Sequence, residues 1–180
     1  DINNLTTLKF GYYDKPDLGT PIEDILDEYG KAIKGSFRGD RIDLEWGELD
    51  DYDQDEDSFY YRSIREMELA FKKEGDRYYL QNISYSGDYR KAKAAYMPSD
   101  YYDKLKVGDP KTGKGGVSYK EVIGDNAVLY LTMSAGEDIE TDEVITKMRI
   151  QFNSSGSDEY KLTFVKQADG DFLLAKKGAD

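Results

Sequence analysis

Residues 70–80 read AFKKEGDRYYL, and residues 163–174 read TFVKQADGDFLL. Each is an apolar-alternating segment, a charged turn containing Gly and Asp, and a second apolar segment. Alternation with period two puts successive side chains on opposite faces of a strand, so each stretch predicts a β-hairpin. Glu74-Gly75-Asp76 makes the turn of the first and Ala168-Asp169-Gly170 that of the second. A helix signal and at least one further strand precede each hairpin. The chain therefore reads as two units, each a helix followed by a β-meander, over 1–85 and 86–180. The other reading is one continuous domain with two similar hairpins.

Upstream of the first hairpin, Arg41–Leu49 (RIDLEWGEL) alternates, with Ile42, Leu44 and Trp46 on one face. Residues 64–73 continue as a strand into the turn, and 5–13 predict another. Thr20-Pro21-Ile22-Glu23 has the form of a capping box with Pro at the first helical position. Ile22, Ile25, Leu26, Tyr29 and Ile33 follow at helical spacing, which predicts a helix over 21–34 with Gly35 as its stop. Between the hairpins, Ser86-Gly87-Asp88 opens a second helix over 88–96. Pro98 breaks it, and Ser99 caps a further turn through Leu105. Residues 107–116 (VGDPKTGKGG) read as a flexible loop. Strands are expected over 117–123, 126–134, 143–153, 159–166 and 171–176.

The helix-bearing segment GDYRKAKAAYMPSDYYDKL (87–105) and the closing meander KLTFVKQADGDFLLAKKG (161–178) together resemble a known class. They are similar to the cystatin-like and nuclear-transport-factor-two-like domains of bacterial exported proteins and lipoproteins. The resemblance spans about residues 86–178 and rests on element order. It implies an α+β fold, with helices packed on a curved antiparallel meander sheet, as two tandem cystatin-like units. It also implies an exported, cell-envelope or extracellular protein. Catalytic members of such families use a His or Asp in a polar cone; this chain has no His, so no catalytic residue carries over.

Composition narrows the chemistry. The 180 residues contain no His and no Cys. Imidazole- and thiol-based nucleophilic catalysis, His or Cys zinc sites, iron–sulfur clusters and disulfides are thereby excluded. A net charge of -12 opposes nucleic-acid binding, which needs a basic face. Mean hydropathy is -0.77, but 13% of residues are aromatic, enough large side chains to build a core. A cysteine-free chain beginning at Asp1 fits an exported, processed protein, with any lipid anchor lying upstream. The longest apolar run, Ala127–Leu131, is too short to cross a membrane. A monomer is expected.

Three motifs bear on function. Gly108-Asp109-Pro110-Lys111-Thr112-Gly113-Lys114-Gly115 lacks the hydroxyl of a phosphate-binding loop, because Gly115 stands in its place. Residues 43–57 hold nine carboxylates and no basic residue, so this tract carries most of the net charge. Within it Asp50, Asp51, Asp53, Asp55 and Asp57 suggest either a site for a basic partner or an irregular, weak Ca²⁺ site. The EF-hand pattern fails, since Glu56 and Arg62 stand where Gly and Glu are required. Lastly, sixteen Tyr include the doublets Tyr12-Tyr13, Tyr60-Tyr61, Tyr78-Tyr79 and Tyr101-Tyr102. Ordinary cross-strand packing accounts for these, with an outward-facing recognition surface as the alternative.

The functional expectation is a non-catalytic binding or protein-interaction module. Its candidate ligand surface is Trp46, Tyr52, Tyr60 and Tyr61, or the concave face of the sheet. A second reading is a cytosolic acidic decoy or immunity-type inhibitor that docks on a basic protein site. A third is a small hydrolase with a carboxylate pair such as Glu45 and Glu48, although their spacing on a strand places them on opposite faces.

Overall fold

A computed structural model describes residues 16–49, 63–86, 96–156 and 158–178. The chain divides into two compact units, Asp1–Ser86 and Gly87–Asp180. Unit 1 contains α1 (Ile22–Tyr29), β1 (Lys34–Arg38), β2 (Arg41–Leu49), β3 (Ser63–Glu74) and β4 (Arg77–Ser86). Unit 2 contains α2 (Ser99–Lys104), α3 (Tyr119–Asp125), β5 (Tyr130–Glu137), β6 (Val144–Asn153), β7 (Glu159–Lys166) and β8 (Phe172–Lys177). In each unit the four strands form an antiparallel meander in chain order.

The expected fold class needs correction. Helices packed on a curved sheet, in tandem cystatin-like units, would require long helices. Among the described residues the helices are short, at eight, six and seven residues, against eight strands. The fold is dominated by sheet. The predicted helix 21–34 stops at Gly30, whose φ of 73° breaks the helical path. Three residues later the Ile33 N–H donates to Glu45 O, and the chain has become strand. The predicted capping box is also absent. Thr20 turns its hydroxyl back to Asp17 O (2.6 Å), and Pro21 is the residue at the helix start. Likewise Ser99 lies inside α2 and Pro98 caps it without a side-chain bond.

Residues 117–123, predicted as strand, instead contain the start of α3. Ser118 accepts from the Lys120 N–H, and Glu121 stands three residues after Ser118, the spacing of a capping box. Val122 and Ile123 bias the local reading towards strand, but burying Tyr119 and Val122 together, three apart, requires a helix. The predicted strand 5–13 and residues 88–95 of the predicted helix 88–96 lie outside the described residues, and Tyr96 is not helical.

Each unit has an apolar inner face. In unit 1, Trp46, Met67, Leu69, Phe71, Leu80 and Ile83 pack there with Ile25 of α1. In unit 2, Leu131, Met148, Ile150, Leu162, Phe164 and Leu174 do so, with Tyr119 edge-on to Phe172 at 5.5 Å.

The same arrangement recurs at equivalent positions in the two units. In β3–β4 the register shifts between Ala70 and Phe71, leaving Phe71 opposite Leu80. In β7–β8 it shifts between Thr163 and Phe164, leaving Phe164 opposite Leu174. The Leu80 N–H donates to Thr20 O and its carbonyl accepts from Gly19. The Leu174 N–H donates to Val117 O and its carbonyl accepts from Gly108. The next residues bridge as well, Pro21 to Tyr79 and Ser118 to Leu173. So in both units the segment leading into a short helix is pinned across the last strand, just beyond a bulge. Strand pairing extends the equivalence outward: Ile42 matches Met148, Asp43 matches Arg149, Glu45 matches Gln151, Trp46 matches Phe152 and Glu68 matches Lys161.

Candidate functional site

Among the described residues, unit 2 differs from unit 1 in three longer loops; outside them, the 50–62 link between β2 and β3 of unit 1 is longer than its counterpart, 154–158. The link from β1 to β2 is the two-residue turn Gly39-Asp40, whereas 138–143 join β5 to β6. Gly75-Asp76 join β3 to β4, whereas 167–171 join β7 to β8. Gly19 and Thr20 are consecutive, whereas residues 109–116 intervene between Gly108 and Val117. The 109–116 loop touches both of the others. Lys111 Nζ lies 3.4 Å from Glu140 Oε2, and the Gln167 side-chain amide donates to Thr112 O (2.7 Å).

The 109–116 loop, expected to be flexible, is closed by its own hydrogen bonds. The Gly113 N–H donates to Asp109 O, the Asp109 N–H to Lys114 O and the Gly116 N–H to Gly113 O. Asp109 Oδ1 accepts from the N–H groups of both Lys111 and Thr112 (2.9 Å each). These backbone donors hold the Asp109 carboxyl below its usual range. The amides that could cradle a phosphate thus already hold a carboxylate of the chain itself. The segment leads into a helix, not the strand expected, yet the amides of Lys111, Thr112, Gly113 and Gly116 are already bonded within the loop. It is no phosphate site.

The 138–143 loop is equally well determined. Asp138 Oδ1 accepts from the Glu140 N–H (2.8 Å), the Asp138 N–H donates to Glu143 O, and the Asp142 N–H donates to Asp138 O. Asp142 takes a φ of 56°, a conformation that Asp tolerates better than most residues. This frame holds Ile139 at 96% exposure, with Val144 at 67% beside it. Below the loop lies an open groove of about 500 Å³. Its floor is the outer face of β5–β6, with Ser134, Gly136, Lys147 and Arg149. Ile139 and Glu140 form one wall, and Lys111 contributes from the neighbouring loop. The groove combines cations, carboxylates and apolar groups.

Unit 1 carries a smaller cleft of about 270 Å³ on its own outer face, lined by Lys34, Asp43, Glu45 and Glu68. Asp43 is held by Arg41 (Nη2 to Oδ1, 3.0 Å). Burial, and then the charge of Glu66, push the Glu45 carboxyl above its usual range. The same outer positions in unit 2 are Arg149 for Asp43, Gln151 for Glu45 and Lys161 for Glu68. One scaffold therefore presents an acidic outer face in unit 1 and a basic one in unit 2.

Trp46, expected on the ligand surface, lies instead in the core. That side chain is 2% exposed. Its Nε1–H donates to Gly30 O (3.2 Å), and its ring lies 6.2 Å from Tyr29. It secures the end of α1 in the core. Tyr52, Tyr60 and Tyr61 lie outside the described residues, as do Asp50, Asp51, Asp53, Asp55 and Asp57, the candidates for a basic-partner or Ca²⁺ site. Among the described residues no group of three or more carboxylates is placed to hold a metal ion. No helix among them is long and apolar enough to cross a membrane.

The described Tyr doublets have internal partners. Tyr78 OH donates to Gly39 O and Tyr101 OH to Asp125 Oδ2 (2.9 Å). Tyr102 stacks on Tyr160 at 4.0 Å, with Lys177 Nζ 4.8 Å from its centroid. Lys177 also donates to Tyr102 O and Asp103 O, near the end of α2. The candidate loop that sequence reading missed, 138–143, has one legible signal. Ile139 stands alone among acidic residues, GEDIETDE over 136–143, where no period explains an apolar side chain.

No family model, curated protein or solved structure matches this chain.

Proposed function

We propose that the chain is a non-catalytic protein-interaction module whose binding surface is the loop end of unit 2. The observation that carries this reading is a groove bordered by two of the longer loops, 109–116 and 138–143, with a fully exposed Ile held by a rigid loop. Loops positioned by a regular scaffold are where binding residues concentrate. An ordered Ile at 96% exposure leaves apolar area in water that a partner would cover. The absence of His and Cys from the sequence supports binding over acyl-transfer chemistry, and the lack of Cys is in keeping with a cell-envelope or extracellular setting.

The test is a photo-crosslinking residue at position 139, in the organism that makes the protein. A discrete adduct is expected there and not at position 76, in the tight turn of unit 1. Equal yields at both positions, or none at 139, would remove the loop end as the binding surface.

The outer face of unit 1 favours a second reading, a basic partner docked on Asp43, Glu45, Glu66 and Glu68. Burial and then the charge of Glu66 raise the Glu45 carboxyl, a cost that an incoming cation would relieve. Binding on that face would weaken steeply with salt and with the double change Glu45→Gln/Glu68→Gln. A salt-independent interaction would exclude it.

A further inference from the structure

We propose that the loop end of unit 2 binds the same surface of a second copy of this chain, as a two-fold symmetric dimer. The inference rests on the preceding reading of the loop end as a binding surface and names its occupant. The patch is complementary to itself. Asp138, Ile139 and Glu140 form an acidic knob with an apolar tip. The groove beside the knob has Lys147 and Arg149 in its floor, with Ala135 and Ile145 as apolar lining.

A two-fold axis through such a patch sets each knob over the other copy's groove. This makes the same contact twice and closes the assembly. Carboxylates then face the Lys147 ammonium, which fixes register. Ile139, at 96% exposure, supplies area to be withdrawn from water. The Lys111–Glu140 pair is exposed on both sides, at 69% and 78%, so Glu140 can exchange this partner for a cation of the second copy at little cost. Unit 1 has no equivalent knob, because Gly39-Asp40 make its turn. The expected monomer is replaced, on this view, by a weak and reversible dimer.

Sedimentation equilibrium of the full chain, from about 10 µM to about 1 mM at low salt, spans the affinities such a patch can reach. The mass should rise from 20.6 kDa towards twice that value. Ile139→Asp should raise the dissociation constant about tenfold or more without altering the fold, since the side chain touches water only. Lys147→Glu alone and Glu140→Lys alone should each abolish dimerisation. An equimolar mixture of the two should restore it, because each acidic knob then meets a basic groove and each basic knob an acidic groove. Loss without rescue on mixing, or a chain that stays at monomer mass throughout, overturns the proposal. If the chain stays monomeric while the crosslinker at 139 traps a protein of different mass, the interaction surface stands and only its occupant is wrong.

Discussion

Leu80 in unit 1 and Leu174 in unit 2 occupy the same position, each pinned by two backbone hydrogen bonds from a segment that leads into a short helix. Unit 1 makes this lock with adjacent residues, Gly19 and Thr20. Unit 2 makes it with Gly108 and Val117 and folds the residues between them into a closed loop against β8. The lock and the bulge beside it stay the same while loop length and outer-face charge change. Geometry common to both units belongs to stability, and what unit 2 alone possesses is where to seek function.

The strongest test of that division is in the core. Phe71 and Phe164 are both fully buried and sit at matching bulges. Phe71→Ala and Phe164→Ala should each cost about 3–5 kcal/mol in urea denaturation. Similar losses sharpen the equivalence. A mild effect at one and a severe effect at the other would break it.

A smaller effect should separate the two locks. A Cβ on Gly116 would collide with the carbonyl oxygen of Leu174, a strand backbone atom that has nowhere to move. Gly116→Ala should cost about 3 kcal/mol, the upper part of the overpacking range. At Gly19 a Cβ meets nothing within 4 Å, and only the φ of +87° resists it. Gly19→Ala should cost about 1 kcal/mol. Equal melting temperatures for the two variants would show that the loop of unit 2 is not strapped to β8.

How much of this was legible depended on how local the cause was. The hairpins 70–80 and 163–174 are visible because alternation and a Gly-Asp turn act within a dozen residues. Their strands, 64–73, 159–166 and 171–176, lie within a residue or so of β3, β7 and β8. The matching bulges are invisible in sequence, because a register shift depends on the pairing partner. β1 went unread because all five of its residues are exposed, so it carries no hydrophobic period. α3 was misread since Val117, Val122 and Ile123 outweigh a capping signal that matters only once Tyr119 and Val122 have a core to enter. Trp46 misled in the opposite sense. Its acidic neighbours suggested a surface, but strand alternation sends them outward and the indole inward. The groove was beyond reach, since Lys111 and Glu140 are brought to Lys147 of β6 by two loops whose conformations come from Asx-type bonds to backbone.

Unit 2 also has a bond that links α2 to α3. Tyr101 donates to Asp125 Oδ2, and burial together with that carboxylate pushes its hydroxyl up to about 12 from an ordinary 10.0. The folded state favours the protonated phenol. Its contribution is full below pH 10 and disappears as the pH rises through about 12. Tyr101→Phe should cost about 1 kcal/mol at neutral pH. It should also take one phenol out of the part of the absorbance titration near pH 12, where Tyr29, raised by its burial, remains. An unchanged titration curve would place the raised group elsewhere.

The smallest effect asked for tests the charge difference directly. Glu45 in unit 1 stands where unit 2 has Gln151, so Glu45→Gln makes the outer face of unit 1 resemble that of unit 2 at one position. Burial and the neighbouring Glu66 raise the Glu45 carboxyl, which means the folded state binds its proton more tightly than the unfolded chain. A group raised in this way helps the fold when protonated and is lost as the pH climbs through its folded pKa. At neutral pH Glu45 therefore works against the fold, and Glu45→Gln should stabilise it. The gain should be no more than about 0.5 kcal/mol, because water and salt screen charges on an open face. It should shrink in high salt and vanish when the pH falls below the ordinary glutamate value, where the wild-type carboxyl is itself neutral. A gain that persists in acid would mean that side-chain shape, not charge, distinguishes the two outer faces. A loss at neutral pH would mean that the ionised carboxylate is held by a cation, and that this face is already satisfied without a basic partner.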